Sequence, residues 1–142
     1  MCEGVNELMR YGPNYMWFDG DWVITQKTIQ IEIKRIIQNM KSNNILVNDR
    51  IGKNNCDEAD YRVFSDRYIP KQPLIDIKWQ HINTIGYSWG FNKMQTSSDY
   101  KTKEQIMNLY DQIHNLGGMF LINVGPNKDA VIIKEEVDAL PG

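Results

Sequence analysis

Apolar positions along the chain fall into two recurring patterns. Short continuous runs alternate with longer stretches in which apolar residues return every three or four positions. The short runs are Tyr15-Met16-Trp17-Phe18, Ile45-Leu46-Val47 and Met119–Val124, broken only by Asn123, and with the more mixed stretch Ile82–Tyr87 they predict four strands. The first two read as strands buried on both faces, because they show no alternation. Thr28–Met40 places Ile29, Ile33, Ile36, Ile37 and Met40 on one face of a helix. Thr102–Leu116 does the same with Ile106, Leu109, Tyr110, Ile113 and Leu116. Thr102 and Gln105 form a capping box at its start, and Gly117-Gly118 stops it. Val5–Arg10 reads as the end of a helix closed by Tyr11-Gly12-Pro13, and Lys134–Leu140 as one further helix. Ile51–Lys78 is long, polar and Pro-containing, the signature of a functional loop.

Strands separated by helices imply a parallel α/β arrangement with right-handed crossovers. The 142 residues amount to one domain on a prior of roughly 150 residues per domain. Four such strands suit a small doubly wound sheet or half of an eight-stranded barrel, which takes about 250 residues in full.

Composition acts mainly by exclusion. Sixteen basic and 18 acidic residues give a net charge of −2, with no surplus to neutralise a nucleic-acid backbone. No apolar run approaches the roughly 18 residues needed to cross a bilayer, so a membrane is not an expected partner. Cys2 and Cys56 form no CxxC pair, and His81 and His114 lie far apart, so no metal-ligand spacing exists. Gly-rich phosphate loops are absent too. Met1-Cys2-Glu3-Gly4 lacks the basic and apolar stretches of a leader, and nothing in the sequence fixes a compartment.

In parallel sheets and barrels the reacting groups collect at the C-terminal ends of strands. That rule selects Asp19 and Asp21 after the first run, Asn48, Asp49 and Arg50 after the second, Trp89 after the third and Asn123 in the fourth. Asp19-Gly20-Asp21 admits three chemistries: a DxD cation site of a nucleotide-sugar transferase, phosphoryl transfer, or a carboxylate nucleophile toward an anomeric carbon. Trp17 and Trp22 flank the motif and favour the third, since aromatic faces pack on sugar C–H surfaces.

Four blocks, in order, resemble α-L-fucosidases of glycoside hydrolase family 29. They are Tyr11-Gly12-Pro13 with Trp17-Phe18-Asp19-Gly20-Asp21-Trp22; Val47-Asn48-Asp49-Arg50; Lys78-Trp79 with Thr84–Lys93; and Gly117–Pro126. The resemblance implies a partial (β/α) TIM-like barrel, its second half, with parallel strands alternating with helices. Residues 1–142 would then be a fragment of a catalytic domain, without the first barrel half and the β-sandwich that follows it. It further implies retaining, exo-acting hydrolysis of terminal α-L-fucose from a fucosylated glycan, without metal or organic cofactor.

Carried over by residue, Asp19 becomes the nucleophile, and Trp17, Arg50 and Trp89 become substrate-binding. The Arg50 guanidinium suits a charge partner for Asp19, a donor to a sugar hydroxyl, or a rim ion pair with Asp49. Trp89 suits either the C6 methyl of the sugar or the core. The departure is Gln80, which follows Lys78-Trp79 where many members carry Glu as proton donor. An amide cannot transfer that proton. The loop offers Asp57, Glu58, Asp60 and Asp66 as substitutes, and Asp66 lies nearest where some members place a Glu. Two other readings stand beside this one: a non-catalytic sugar-binding or structural remnant, and the DxD transferase. Open strand edges of a half barrel further imply self-association.

Overall fold

The computed structural model describes residues 2–20, 22, 27–51 and 56–141. Asp21, and with it half of the DxD motif, lies outside them, as do the side chains of Cys2 and Cys56. The chain divides into two compact units, Met1–Val63 and Phe64–Gly142. Each is built around a pair of parallel strands joined by a helix.

In the first unit, α1 (Cys2–Met9) leads to β1 (Tyr15–Met16), α2 (Lys27–Ser42), β2 (Leu46–Val47) and β3 (Arg62–Val63). A 3-10 turn spans Cys56–Glu58. Gly12, at φ +62°, releases the chain from α1 in the left-handed region that glycine adopts without penalty. β1 and β2 pair in parallel, Tyr15 with Leu46 and Met16 with Val47, and Asn48 continues the pattern with a parallel bridge to Tyr61. The stripe on α2 does the packing: Ile33, Ile36, Ile37 and Met40 are buried with Val5, Ile45, Val47 and Ile51. Truncating one of these isoleucines or Met40 to Ala carries a cost of about 2–5 kcal/mol. Ile29, the first member of the predicted stripe, is instead exposed.

The two short runs are not strands buried on both faces. Tyr15 and Leu46 are exposed, and regular pairing covers only two residues in each. Ile45 and Val47 are buried around Leu46, the alternation of a strand with one covered face. The predicted loop Ile51–Lys78 also holds ordered elements, β3 among them.

The second unit contains β4 (Trp79–Thr84), α3 (Lys103–Asn115), β5 (Met119–Asn123) and α4 (Lys134–Ala139), with a 3-10 turn at Ser97–Asp99. β4 and β5 run parallel over five residue pairs, from Gln80–Met119 to Thr84–Asn123. β4 starts earlier than predicted and is buried throughout, although Gln80, His81, Asn83 and Thr84 are polar. Burial is tolerated because partners exist: His81 Nδ1 lies 2.8 Å from the Tyr68 carbonyl, and Asn83 Oδ1 accepts from the Thr84 N–H. α3 has the expected capping box, with Thr102 Oγ1 accepting from the Gln105 N–H and Gln105 Oε1 from the Thr102 N–H. Ile106 and Ile113 carry its buried face, and Ile85, Ile106 and Ala139 form a core with Phe120, Ile122 and Leu140 against it.

Candidate active site

In the first unit the C-terminal ends of β1 and β2 lie side by side, so the residues that follow them share one rim. Asn48, fully buried, is the joint between them. Its Oδ1 accepts from the Phe18 N–H and its Nδ2 donates to the Phe18 carbonyl, both at 2.8 Å. This pair of hydrogen bonds to the N–H and C=O of one residue fixes the backbone immediately before Asp19. Gly20, at φ +99°, then turns the chain away from Asp19 in a conformation that suits glycine.

Arg50 comes to the same place from the neighbouring strand. Its Nη1 lies 3.2 Å from Asp19 Oδ1, and its guanidinium carbon sits 5.6 Å from the centre of the Trp17 ring. The Arg50 side chain is 13% exposed and that of Asp19 48%. A pair this open adds only about 0–1 kcal/mol to stability, so its value is orientation: the carboxylate stays accessible and is aimed by the guanidinium. Asp49 does a different job. It accepts from the Val63 N–H at 2.7 Å and lies 3.8 Å from Arg62. Burial raises its pKa, against the opposing pull of the Val63 N–H and Arg62.

Asp19, Trp17 and Arg50 are thus brought together. Trp22, the other flanking aromatic, is exposed. Trp89 and Asp66 belong to the second unit. Trp89 follows β4 and is 39% exposed, so it is not a core residue. Its carbonyl accepts from Asn123 Nδ2 at 2.5 Å, which gives the rim residue Asn123 a role as anchor of the loop after β4. Asp66 is exposed, in the turn before Arg67. Gln80 is 7% exposed and sits in β4 opposite Met119.

Among the described residues no group of three or more His, Cys, Asp or Glu is placed to hold a metal ion. No helix among them is long and apolar enough to cross a membrane.

A family model described as Alpha-L-fucosidase matches residues 1–142. The chain belongs to the alpha-L-fucosidase family. Tissue alpha-L-fucosidase of Rattus norvegicus is 31% identical over 138 residues, which cover 94% of this chain and 30% of that protein. An alpha-L-fucosidase of Dictyostelium discoideum is 30% identical over 135 residues, 92% of this chain and 29% of that one. The chain therefore spans about three-tenths of the length of these relatives. Among solved structures, alpha-L-fucosidase isoenzyme 1 from Paenibacillus thiaminolyticus has the same fold, with a TM-score of 0.78 at 22% identity over 96% of this chain and 35% of that one. The alpha-fucosidase of Thermotoga maritima, in complex with a mechanism-based inhibitor, gives a TM-score of 0.75 at 25% identity over 94% and 29%.

Two residues, one in each unit, escaped sequence reasoning in their roles. Asn48 was visible as a polar residue after a strand, but nothing in its neighbours shows that it clamps Phe18, 30 positions earlier. Arg67 had no signal at all.

Proposed function

We propose that the chain forms part of the catalytic (β/α) barrel of a retaining exo-α-L-fucosidase, with Asp19 as nucleophile. The observation that carries this is the accessible Asp19 carboxylate at a strand end, fixed through Asn48 and Phe18 and aimed by Arg50 beside the Trp17 ring. The Thermotoga maritima relative, 25% identical, is known in complex with fucose, which supports the same sugar here.

In the proposed reaction Asp19 attacks the anomeric carbon from the face opposite the leaving group. The glycosidic C–O bond breaks, and its oxygen takes a proton from an acid. The resulting glycosyl ester is then opened by water, which gives up a proton to the same residue, now a base. Two inversions return the original configuration. Asp66 is proposed for the acid/base role because it is an accessible carboxylate, whereas Gln80 carries an amide in a buried strand.

The test is turnover of an aryl α-L-fucoside and of a fucosylated glycan. Asp19→Ala is expected to lower both by several powers of ten, and azide is expected to restore aryl-fucoside turnover with β-fucosyl azide as product. Asp66→Asn is expected to lower glycan turnover roughly 10²–10⁴-fold and aryl-fucoside turnover much less, because an activated leaving group needs little protonation. An Asp19→Ala variant with parental rates would remove Asp19 from the mechanism. A parent chain that binds fucose yet hydrolyses neither substrate would leave the non-catalytic sugar-binding reading.

A further inference from the structure

Arg67 has no part in the chemistry above, yet its backbone is held where a side-chain-bearing residue is disfavoured. Its φ is +60°, in the left-handed region, and such strain persists only where surrounding contacts impose it. The Arg67 N–H donates to the Ile82 carbonyl of β4 at 3.1 Å. Its Nη2 donates to Thr84 Oγ1 at 3.0 Å and to the Tyr87 carbonyl at 2.6 Å. Thr84 Oγ1 donates in turn to the Gly86 carbonyl. The guanidinium carbon then lies 5.5 Å from the centre of the Trp89 ring. One side chain therefore ties together Thr84 at the strand end, the Tyr87 carbonyl and the aromatic ring, and Thr84 holds the Gly86 carbonyl in turn.

Other groups brace the same loop. Asn123 Nδ2 donates to the Trp89 carbonyl. Ser88 N–H donates to Gln95 Oε1 at 2.9 Å, and Asn92 Nδ2 to Ser88 Oγ at 3.0 Å. Gly125 admits the loop closely: a Cβ there would fall 2.6 Å from the Phe91 nitrogen. A loop so fastened, with Trp89 partly open to solvent, is a preorganised surface rather than a tether.

We propose that Arg67 is a positioning residue for saccharide binding: it backs one face of Trp89 and so presents the rest of the ring to an α-L-fucoside. The inference rests on the fucosidase reading, because that reading supplies the ligand. Arginine suits the task better than lysine, since its plane can stack on the ring while its edge donates to Thr84 and Tyr87.

Three variants of the chain separate this from a plain structural role. Arg67→Gly relieves the left-handed strain and deletes the clamp, so its Tm should stay within a few degrees of the parent. Its KM for 4-nitrophenyl α-L-fucoside should rise roughly tenfold, the effect of losing about 1.4 kcal/mol of binding, with kcat within about twofold of the parent. Arg67→Lys should fall between the two. In protein labelled with 5-fluorotryptophan, the fluorine signal that Trp89→Phe removes should move in Arg67→Gly toward that of solvent-exposed tryptophan. An unchanged KM together with an unmoved Trp89 signal would overturn the proposal. So would a KM loss matched by a large fall in Tm in both Arg67 variants. A parent chain without fucoside binding or turnover would overturn the fucosidase reading itself and this inference with it, whereas the first two failures leave the parent's turnover intact.

Discussion

His81 shows how a single buried base can make stability depend on pH. The Tyr68 carbonyl, which only accepts, lies 2.8 Å from Nδ1, so that nitrogen carries the proton. Asn83 has committed its oxygen to the Thr84 N–H and offers its amide hydrogen to Nε2 at 3.1 Å. The ring is therefore neutral and satisfied, and it stacks on Phe120 at 5.7 Å. Burial lowers the His81 pKa below its ordinary 6.5, Lys101 adds to the effect, and the Tyr68 carbonyl opposes it. A depressed folded pKa means that the unfolded chain takes the proton more readily. The contribution of His81 is thus complete above about pH 6.5 and is lost as pH falls through the folded value, at up to about 1.4 kcal/mol per pH unit. Denaturant midpoints should drop between pH 7.5 and 5.5, and His81→Asn, which can still donate to Tyr68, should flatten that dependence. Equal slopes for parent and variant would acquit His81. In the sequence His81 was one of two distant histidines and carried no message, because its partners come from a loop 13 positions away and from its own strand. The juxtaposition of Asp19 and Arg50 was legible for the opposite reason: each is a charged residue just past an apolar run, and parallel strands bring such positions to one rim.

At the scale of elements, the helices and the strand Met119–Asn123 were read well, β1 and β2 proved shorter than their runs, and β4 was misplaced. α2 and α3 have apolar spacing of three and four that only a helix satisfies, and Thr102 and Gln105 mark the start of α3 within one residue. β4 was misjudged because its opening residues, Trp79-Gln80-His81, are not an apolar run. They are buried by tertiary partners that local sequence does not display. The glycines after α3 carry a further constraint. Gly117 has φ +82° and closes the helix, as a left-handed cap residue does. Gly118 has a different reason to be glycine: a Cβ there would lie 2.5–2.7 Å from three ring atoms of Trp79, and Trp79 is 1% exposed. A buried indole cannot swing aside. Gly118→Ala should therefore cost about 1–3 kcal/mol by overpacking, read as a lower denaturant midpoint at unchanged slope. Gly118→Ala combined with Trp79→Phe should recover part of the loss, since the smaller ring vacates the space. No recovery in the double variant would mean that the strain lies in the backbone turn and not against the indole.

For the whole molecule the question is what its exposed apolar surface does in solution. Leu46 and Met119, each from a paired strand, are 50% and 44% exposed, and Tyr15 of β1, the register partner of Leu46, is exposed as well. β1 and β5 are each terminal in the sheets of the described residues, so each presents a strand edge. Edges of this kind add strands from other chains unless charge or proline blunts them. Neither β1 nor β5 contains a charged residue or a proline. Association costs about 4–15 kcal/mol in lost freedom. At about 25 cal/mol per Å² this is offset by roughly 160–600 Å² of buried apolar surface, which a few side chains as large as the exposed aromatics supply. Two copies of the chain meeting along β5 would bury Met119 and complete the hydrogen bonding of that edge. The expected result is self-association: sedimentation velocity at micromolar concentration should show species heavier than the 16.6 kDa of one chain. Met119→Lys places a charge on the edge without touching the buried cores, and it should shift the distribution toward the single chain while leaving secondary structure unchanged. A parent that sediments as a single 16.6 kDa species and unfolds in one cooperative transition would show that the two units satisfy themselves without a partner.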